Sequence, residues 1–217
     1  SFEFRQFGAT VSYEKRGLRR EQLIFLPFYP IVNNPFQGFP NEVKDKVIIF
    51  SGGDFYKTID PENTYWNLVK SVLNENSNAV FLFATKVDNS KTQDFIDMFI
   101  KDNDLENRFI YIGFRPDINE VFKHCDIFMG TNPASGSLMS QLAAFNSKPF
   151  LQFYLPDTPD DETEAAICHN RFMQISFTDE SKFLAEAKRL VEDVNYRIEK
   201  GKEINACMLT ENRFNTR

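Results

Sequence analysis

Arg108–Phe153 reads RFIYIGFRPDINEVFKHCDIFMGTNPASGSLMSQLAAFNSKPFLQF, and its rhythm decides the fold. Phe109–Ile112 is a short apolar run, Ile118–His124 a helix after Pro116, and Asp126–Met129 a second apolar run. A turn of small residues, Asn132-Pro133-Ala134-Ser135-Gly136-Ser137, then leads into a helix from about Ser137 and a strand ending at Phe153. Short continuous apolar strands alternating with helices predict parallel strands covered on both faces. The small-residue turn is expected at the carboxyl end of a strand, where open parallel sheets bind ligands. Unpaired N–H groups at a helix start favour an anion, so a phosphate-bearing ligand is the expectation for this turn.

The same alternation extends outward in both directions. Val47–Ser51 is an apolar strand ending in Gly52-Gly53, and Asp60-Pro61-Glu62 signals a helix running to about Asn74. Ala79–Ala84 is a buried strand, and Ser90 is placed to cap a helix from Lys91 to Lys101 with Phe95, Ile96, Phe99 and Ile100 on one face. Downstream, Phe172–Ser176 is a candidate last strand, Thr178-Asp179 opens a helix to about Asp193, and a second helix runs from Asn195 to about Asn212. Upstream, Leu23–Pro30 is a strand stopped by prolines, and Ile31–Lys46 carries the Pro and Gly breakers of a linker. The fold class expected is α/β, a doubly wound parallel sheet.

Composition narrows the function. The chain has 217 residues, 42% hydrophobic with 24 Phe, enough for one substantial core. A net charge of −6 and a pI near 5.1 argue against a dedicated nucleic-acid or anionic-membrane binder. No apolar stretch is long enough to span a membrane. Cys125, Cys168 and Cys207 lie far apart and form no disulfide framework, and with only His124 and His169 no metal-finger spacing exists. No metal is expected, and a reducing cytoplasm is the simplest location. The chain opens on Ser1 rather than Met, which suggests processing or shortening.

Four segments in this order resemble the C-terminal, nucleotide-sugar-binding half of GT-B glycosyltransferases, most closely glycosyltransferase family 4. They are GLRREQLIFLPFYP (Gly17–Pro30), VIIFSGGDFYKTID (Val47–Asp60), LENRFIYIGFRPDINEVFKHCDIFM (Leu105–Met129) and SLMSQLAAFNSKPFLQF (Ser137–Phe153). The resemblance implies a Rossmann-like domain at 46–194, an interdomain segment at 23–45, and the tail of an N-terminal domain at 1–22. It implies also that 195–217 form a helix packing back on that N-terminal domain. The donor would be a nucleoside-diphosphate sugar, with no separate cofactor. The acceptor, a glycan or a lipid-linked sugar of polysaccharide or glycoconjugate synthesis, would sit on the N-terminal domain. The location implied is the cytoplasm, with the inner membrane face as an alternative for the full protein.

Site residues follow from the residues and the resemblance together. Gly52 and Gly53 let backbone approach a diphosphate, or simply make a tight turn. Lys57 resembles the family's diphosphate-binding lysine at one residue shorter spacing, and is the expected catalytic contributor. Ser135, Gly136 and Ser137 would hold phosphate through helix-start amides, although Ser135 also suits plain capping. Gln141 falls near the family's ribose-binding glutamate if one extra residue is allowed in the Phe145–Ser147 turn; a gapless count reaches Leu142. Phe114 and Arg115 lie where the family meets the nucleobase, and the arginine would reach phosphate or stack on the base. Asp117 is expected to cap the following helix.

Two departures stand out. Gly53 occupies the place where the family often carries Arg, and the earlier acid of its Glu-x7-Glu pattern is absent around Ala134–Ser135. An inverting relative, a catalytically inactive subunit or nucleotide-sugar sensor, and a sugar-nucleotide epimerase therefore remain alternatives. A Cys-His nucleophile at His124-Cys125 or Cys168-His169 is disfavoured because adjacent helical residues face apart. The acidic run Asp157–Glu164 reads as a solvated loop.

Overall fold

Every position of Val47–Gly52 and of Ala79–Ala84 is buried, which only a strand covered on both faces can satisfy. The protein is described by a computed structural model over residues 3–5, 23–25, 34–87, 90–155 and 176–207. Strands β1 (Glu3–Arg5) and β2 (Leu23–Phe25) pair in parallel as a ladder of their own. The remaining strands are β3 (Val47–Gly52), β4 (Ala79–Ala84), β5 (Phe109–Tyr111), β6 (Ile127–Met129), β7 (Phe150–Phe153) and β8 (Ser176–Phe177). They form one six-stranded sheet in the order β5-β4-β3-β6-β7-β8. All of its pairings are parallel. The expected Rossmann-like doubly wound sheet is present.

Alternation along β3 sorts the core into two layers. Val47 and Ile49 face α1 (Thr64–Glu75), α2 (Ser90–Asp102) and α5 (Glu180–Glu192), through Tyr65, Trp66, Ile96, Phe183 and Leu190. Ile48 and Phe50 face α3 (Ile118–His124), α4 (Ser137–Phe145) and α6 (Val194–Cys207), through Phe122, Ala143 and Ile204. The phenylalanine surplus becomes a contiguous aromatic layer: Trp66 lies 4.9–5.9 Å, ring centre to ring centre, from Phe55, Phe83, Phe95, Phe99 and Phe109. Most of these pairs are tilted or edge-on, the arrangement that aromatic quadrupoles favour.

Several boundaries differ from the sequence expectation for local reasons. The helix signalled at Asp60-Pro61 starts at Thr64. Asp60 accepts hydrogen bonds from the N–H of Glu62 (3.0 Å) and from the N–H and hydroxyl of Thr64 (both 3.0 Å), so its carboxylate closes a turn first. Asp179 does cap α5, accepting from the Lys182 N–H at 2.8 Å. Of the expected strand Phe172–Ser176 only Ser176 is described, where it opens β8; Phe172–Ile175 and the tail of the last helix beyond Cys207 lie outside the described residues. Helix α6 lies on the domain itself: Asn205 Nδ2 donates to the carbonyls of Ala144 and Phe145, both at 3.0 Å.

Candidate functional site

The chain runs outward from β3 to β4 and β5, then returns to lay β6 against the other side of β3. That reversal opens a crevice between the loops leaving β3 and β6, at the carboxyl ends of the strands. The glycine loop and the small-residue turn are those two loops, and they meet. The Ala134 N–H donates to the Lys57 carbonyl at 3.4 Å. A Cβ on Gly53 would lie 3.9 Å from Lys57 Cδ and 4.0 Å from Thr131 Cγ2, so the bare face of this glycine is turned toward both loops.

The two glycines have separate reasons. A Cβ on Gly52 would stand 2.7 Å from the Ala84 carbonyl oxygen, so strand contact requires its absence. Gly53 has φ +147° and donates its N–H to the same Ala84 carbonyl at 3.0 Å. Lys57 then follows in a short 3-10 turn, Phe55–Thr58, and no described carboxylate pairs with its ammonium. Tyr56 beside it is 68% exposed.

Across the crevice, α4 begins without a side-chain cap. Its N-cap is Gly136, not Ser135, so the first-turn amides receive no acceptor from the N-cap residue. Thr131 braces this turn by donating its hydroxyl to the Ala134 carbonyl at 2.7 Å. Gln152, at the end of β7, donates Nε2 to the carbonyls of Thr131 (2.9 Å) and Phe153 (3.0 Å) from below. The bare Gly130 leaves the space that this carboxamide occupies: a Cβ there would fall 1.9 Å from Gln152 Oε1 and displace the side chain that braces Thr131. Asn132 is buried, and neither polar atom of its carboxamide finds a partner among the described residues. Gln141 is also buried, inside α4 rather than on the rim surface.

The β5 end carries the third loop. Gly113, at φ +67°, turns the chain so that Phe114 stands 69% exposed. Arg115 does the opposite of what its sequence position suggests. Its Nε and Nη2 donate to Asp117 Oδ1 and Oδ2 at 2.7 and 2.6 Å, and its Nη1 donates to the Gly38 carbonyl at 3.0 Å. The side chains are 6% and 0% exposed, so this guanidinium holds the domain together and is withdrawn from the rim. Asp117 therefore caps nothing with its side chain, and its carboxyl is held below the usual carboxylate range chiefly by the Arg115 hydrogen bonds.

Other nucleophile and metal candidates disperse. His124 is exposed and stacks on Phe36 at 4.0 Å, whereas Cys125 is buried, with its thiol pushed up to about 12 by desolvation. Cys168-His169 and Asp157–Glu164 lie outside the described residues. Among the described residues no three of His, Cys, Asp or Glu converge to hold a metal. Sequence reasoning missed Thr131, Asn132 and Gln152. Their signal was polar side chains where the apolar runs of β6 and β7 end.

No family model matches this chain, and no curated protein does. Solved structures match it as a fold. A mutant O-GlcNAc transferase of Thermobaculum terrenum is 16% identical with a TM-score of 0.61, over 85% of this chain and 36% of that one. HepE of Anabaena, solved with UDP and glucose, is 14% identical with a TM-score of 0.62, over 95% and 57%. WaaG, a glycosyltransferase involved in lipopolysaccharide biosynthesis, is 9% identical with a TM-score of 0.63, over 97% and 59%. The chain thus spans roughly a third to three-fifths of the length of these neighbours. Its Rossmann-like sheet and flanking helices are the fold of a GT-B glycosyltransferase domain.

Proposed function

We propose that this chain is the donor-binding domain of a glycosyltransferase and that the crevice between β3 and β6 takes the diphosphate of a nucleoside-diphosphate sugar. The observation carrying this is the junction of the two loops at the switch point, where the Ala134 N–H meets the Lys57 carbonyl at 3.4 Å. In this reading the Gly52-Gly53 backbone, the Lys57 ammonium and the opening of α4 at Ser135, Gly136 and Ser137 surround the leaving diphosphate. Amides and one ammonium aimed at the charge that develops on the leaving group lower its barrier. Phe114 offers an exposed ring to the nucleobase. Gln141 and Arg115, both buried, support α4 and the β5 loop. The acceptor, a glycan or lipid-linked sugar, would be positioned from outside this domain. Among the described residues no helix is long and apolar enough to cross a membrane.

Isothermal titration with UDP, GDP and CMP tests the reading, with heat expected from at least one nucleoside diphosphate. No heat from any of them would remove it. One pair of observations favours a second reading, a nucleotide-sugar-binding subunit without turnover. Gly53 stands where a second cation is common in the resembled family, and Arg115 is spent on Asp117. Lys57→Ala in the full-length protein separates the two: a transferase loses turnover, whereas a non-catalytic subunit leaves its partner's activity intact.

A further inference from the structure

Residues 34–39 do not simply lead into β3. Asn34 Nδ2 donates to the Pro116 carbonyl at 2.7 Å, and the Gln37 N–H donates to Asp117 Oδ2 at 2.8 Å. Arg115 Nη1 reaches the Gly38 carbonyl at 3.0 Å, and Gly38 turns that carbonyl inward at φ +80°. Phe36 stacks on His124 at 4.0 Å and meets Phe39 edge-on at 5.0 Å. The Arg115 guanidinium lies 5.8 and 5.6 Å from the centres of those two rings. One buried ion pair is therefore shared between the segment before the domain and the loop 113–117 at the ligand end of the sheet.

The placement has a directional consequence. Pro116 and Asp117 follow the carboxyl end of β5, so Asn34 delivers the chain to the same rim that carries Phe114. From there the chain leads to the start of β3, with Phe39 and Val43 packed against the core layer that holds Val121 and Phe122. We propose that Arg115 and Asp117 are positioning residues: they latch residues 34–39 against the loop 113–117 and so couple the seating of this segment to nucleotide affinity at Phe114. This rests on the nucleotide reading of the rim. The physical basis is shared constraint. Asp117 accepts from both segments at once, and a bidentate guanidinium fixes both carboxylate oxygens in one plane. Freeing the upstream segment removes one of the partners that hold Arg115 and Asp117, and loosens the loop whose Gly113 turn presents Phe114. A ligand that needs this loop ordered must then supply the ordering itself, which lowers its affinity.

Amide hydrogen exchange on the full chain, paired with titration by UDP and GDP, tests the coupling. Phe36→Ala removes the ring that stacks on His124 and flanks the Arg115 guanidinium, while both charges of the ion pair and their mutual hydrogen bonds stay in place. Exchange is expected to rise about tenfold in both 34–39 and 113–117, with the α1–β4 region unchanged, and the nucleotide Kd to rise about fivefold, on the scale of typical coupling energies. Phe36→Tyr keeps the stacked ring and should restore both. Asp117→Asn, which removes the charge from the pair, should produce the same paired effect more strongly. Faster exchange at 34–39 with 113–117 and the Kd unaltered would overturn the coupling and leave a plain anchor. An unsubstituted chain that binds neither nucleotide would sink the rim's reading and the ligand half of the proposal together, an outcome visible before any variant is made.

Discussion

The two ends of the sheet treat their polar groups in opposite ways. At the amino end, Arg108 Nη2 donates to the carbonyls of Leu73, Asn76 and Ala79 at 2.6, 2.7 and 3.3 Å, closing α1 onto β4. Asp126 Oδ2 accepts the Ile48 N–H at 2.8 Å, and Lys148 Nζ donates to the Lys123 carbonyl at 3.0 Å. Charges there are spent mainly on backbone, with Asp126 also 3.9 Å from the Arg197 guanidinium, although Arg108 Nε and Asn76 Oδ1 are buried without a partner among the described residues. At the carboxyl end, the Lys57 ammonium pairs with no described carboxylate, Gly136 opens α4 uncapped, and the Asn132 amide is buried without a partner. Tyr56, Phe114 and Leu138 stand exposed on the same rim. A buried polar group costs free energy unless it is satisfied. What sets the carboxyl end apart is that its orphaned amide lies beside an ammonium without a described carboxylate partner and three exposed apolar or aromatic side chains.

If the amino end is structural, Arg108→Ala should cost about 3 kcal/mol in urea unfolding, since hydrogen bonds from a charged group are the stronger kind. Nucleotide affinity per folded molecule should stay unchanged; a loss of affinity would blur the division between the ends. Lys57→Ala should do the reverse, lowering turnover of the full-length protein by about 100-fold with the melting temperature kept. A Gly201→Ala substitution probes the amino end again, because its Cβ would sit 2.0 Å from the Ser147 carbonyl oxygen. Overpacking of this kind costs about 2 kcal/mol, read from the same urea midpoint. Phe114→Ala should weaken nucleotide binding about fivefold, the worth of one aromatic contact, with stability within about 0.5 kcal/mol.

The smallest effect is acid titration of the latch. Asp117 has its pKa lowered in the folded protein, so the stability it contributes is present above the unfolded carboxyl value and is lost as pH falls through the folded one. Protection of the Gln37 amide should therefore persist through neutral pH and fall only below about pH 4.

Much of this was legible in the residues. Ala79–Ala84 and Ile118–His124 form the expected elements over the expected residues, because an unbroken apolar run and a proline-led helix leave little choice. The loops at the rim were legible as small-residue turns following strands. What was not legible was which side chains the rim keeps. Arg115 looked like a free cation because its partners, Gly38 and Asp117, come together only when the upstream segment folds onto the loop. Ser135 looked like a cap, yet the helix begins after Gly136. The bracing of Thr131 by Gln152 joins a residue of β7 to the loop just past β6.

Sequence alone determined that strands and helices alternate and that strands buried on both faces must pair in parallel, because hydrophobic period and turn chemistry are local properties. It determined also that Gly52-Gly53 and the Asn132–Ser137 turn follow strands. Only the tertiary structure decided that these loops touch, since that depends on β6 returning beside β3 rather than continuing past β5. The same holds for charge: whether Arg108, Arg115 or Lys57 is spent on the fold or left for a ligand is set by which carbonyls and carboxylates the packing brings within hydrogen-bond reach.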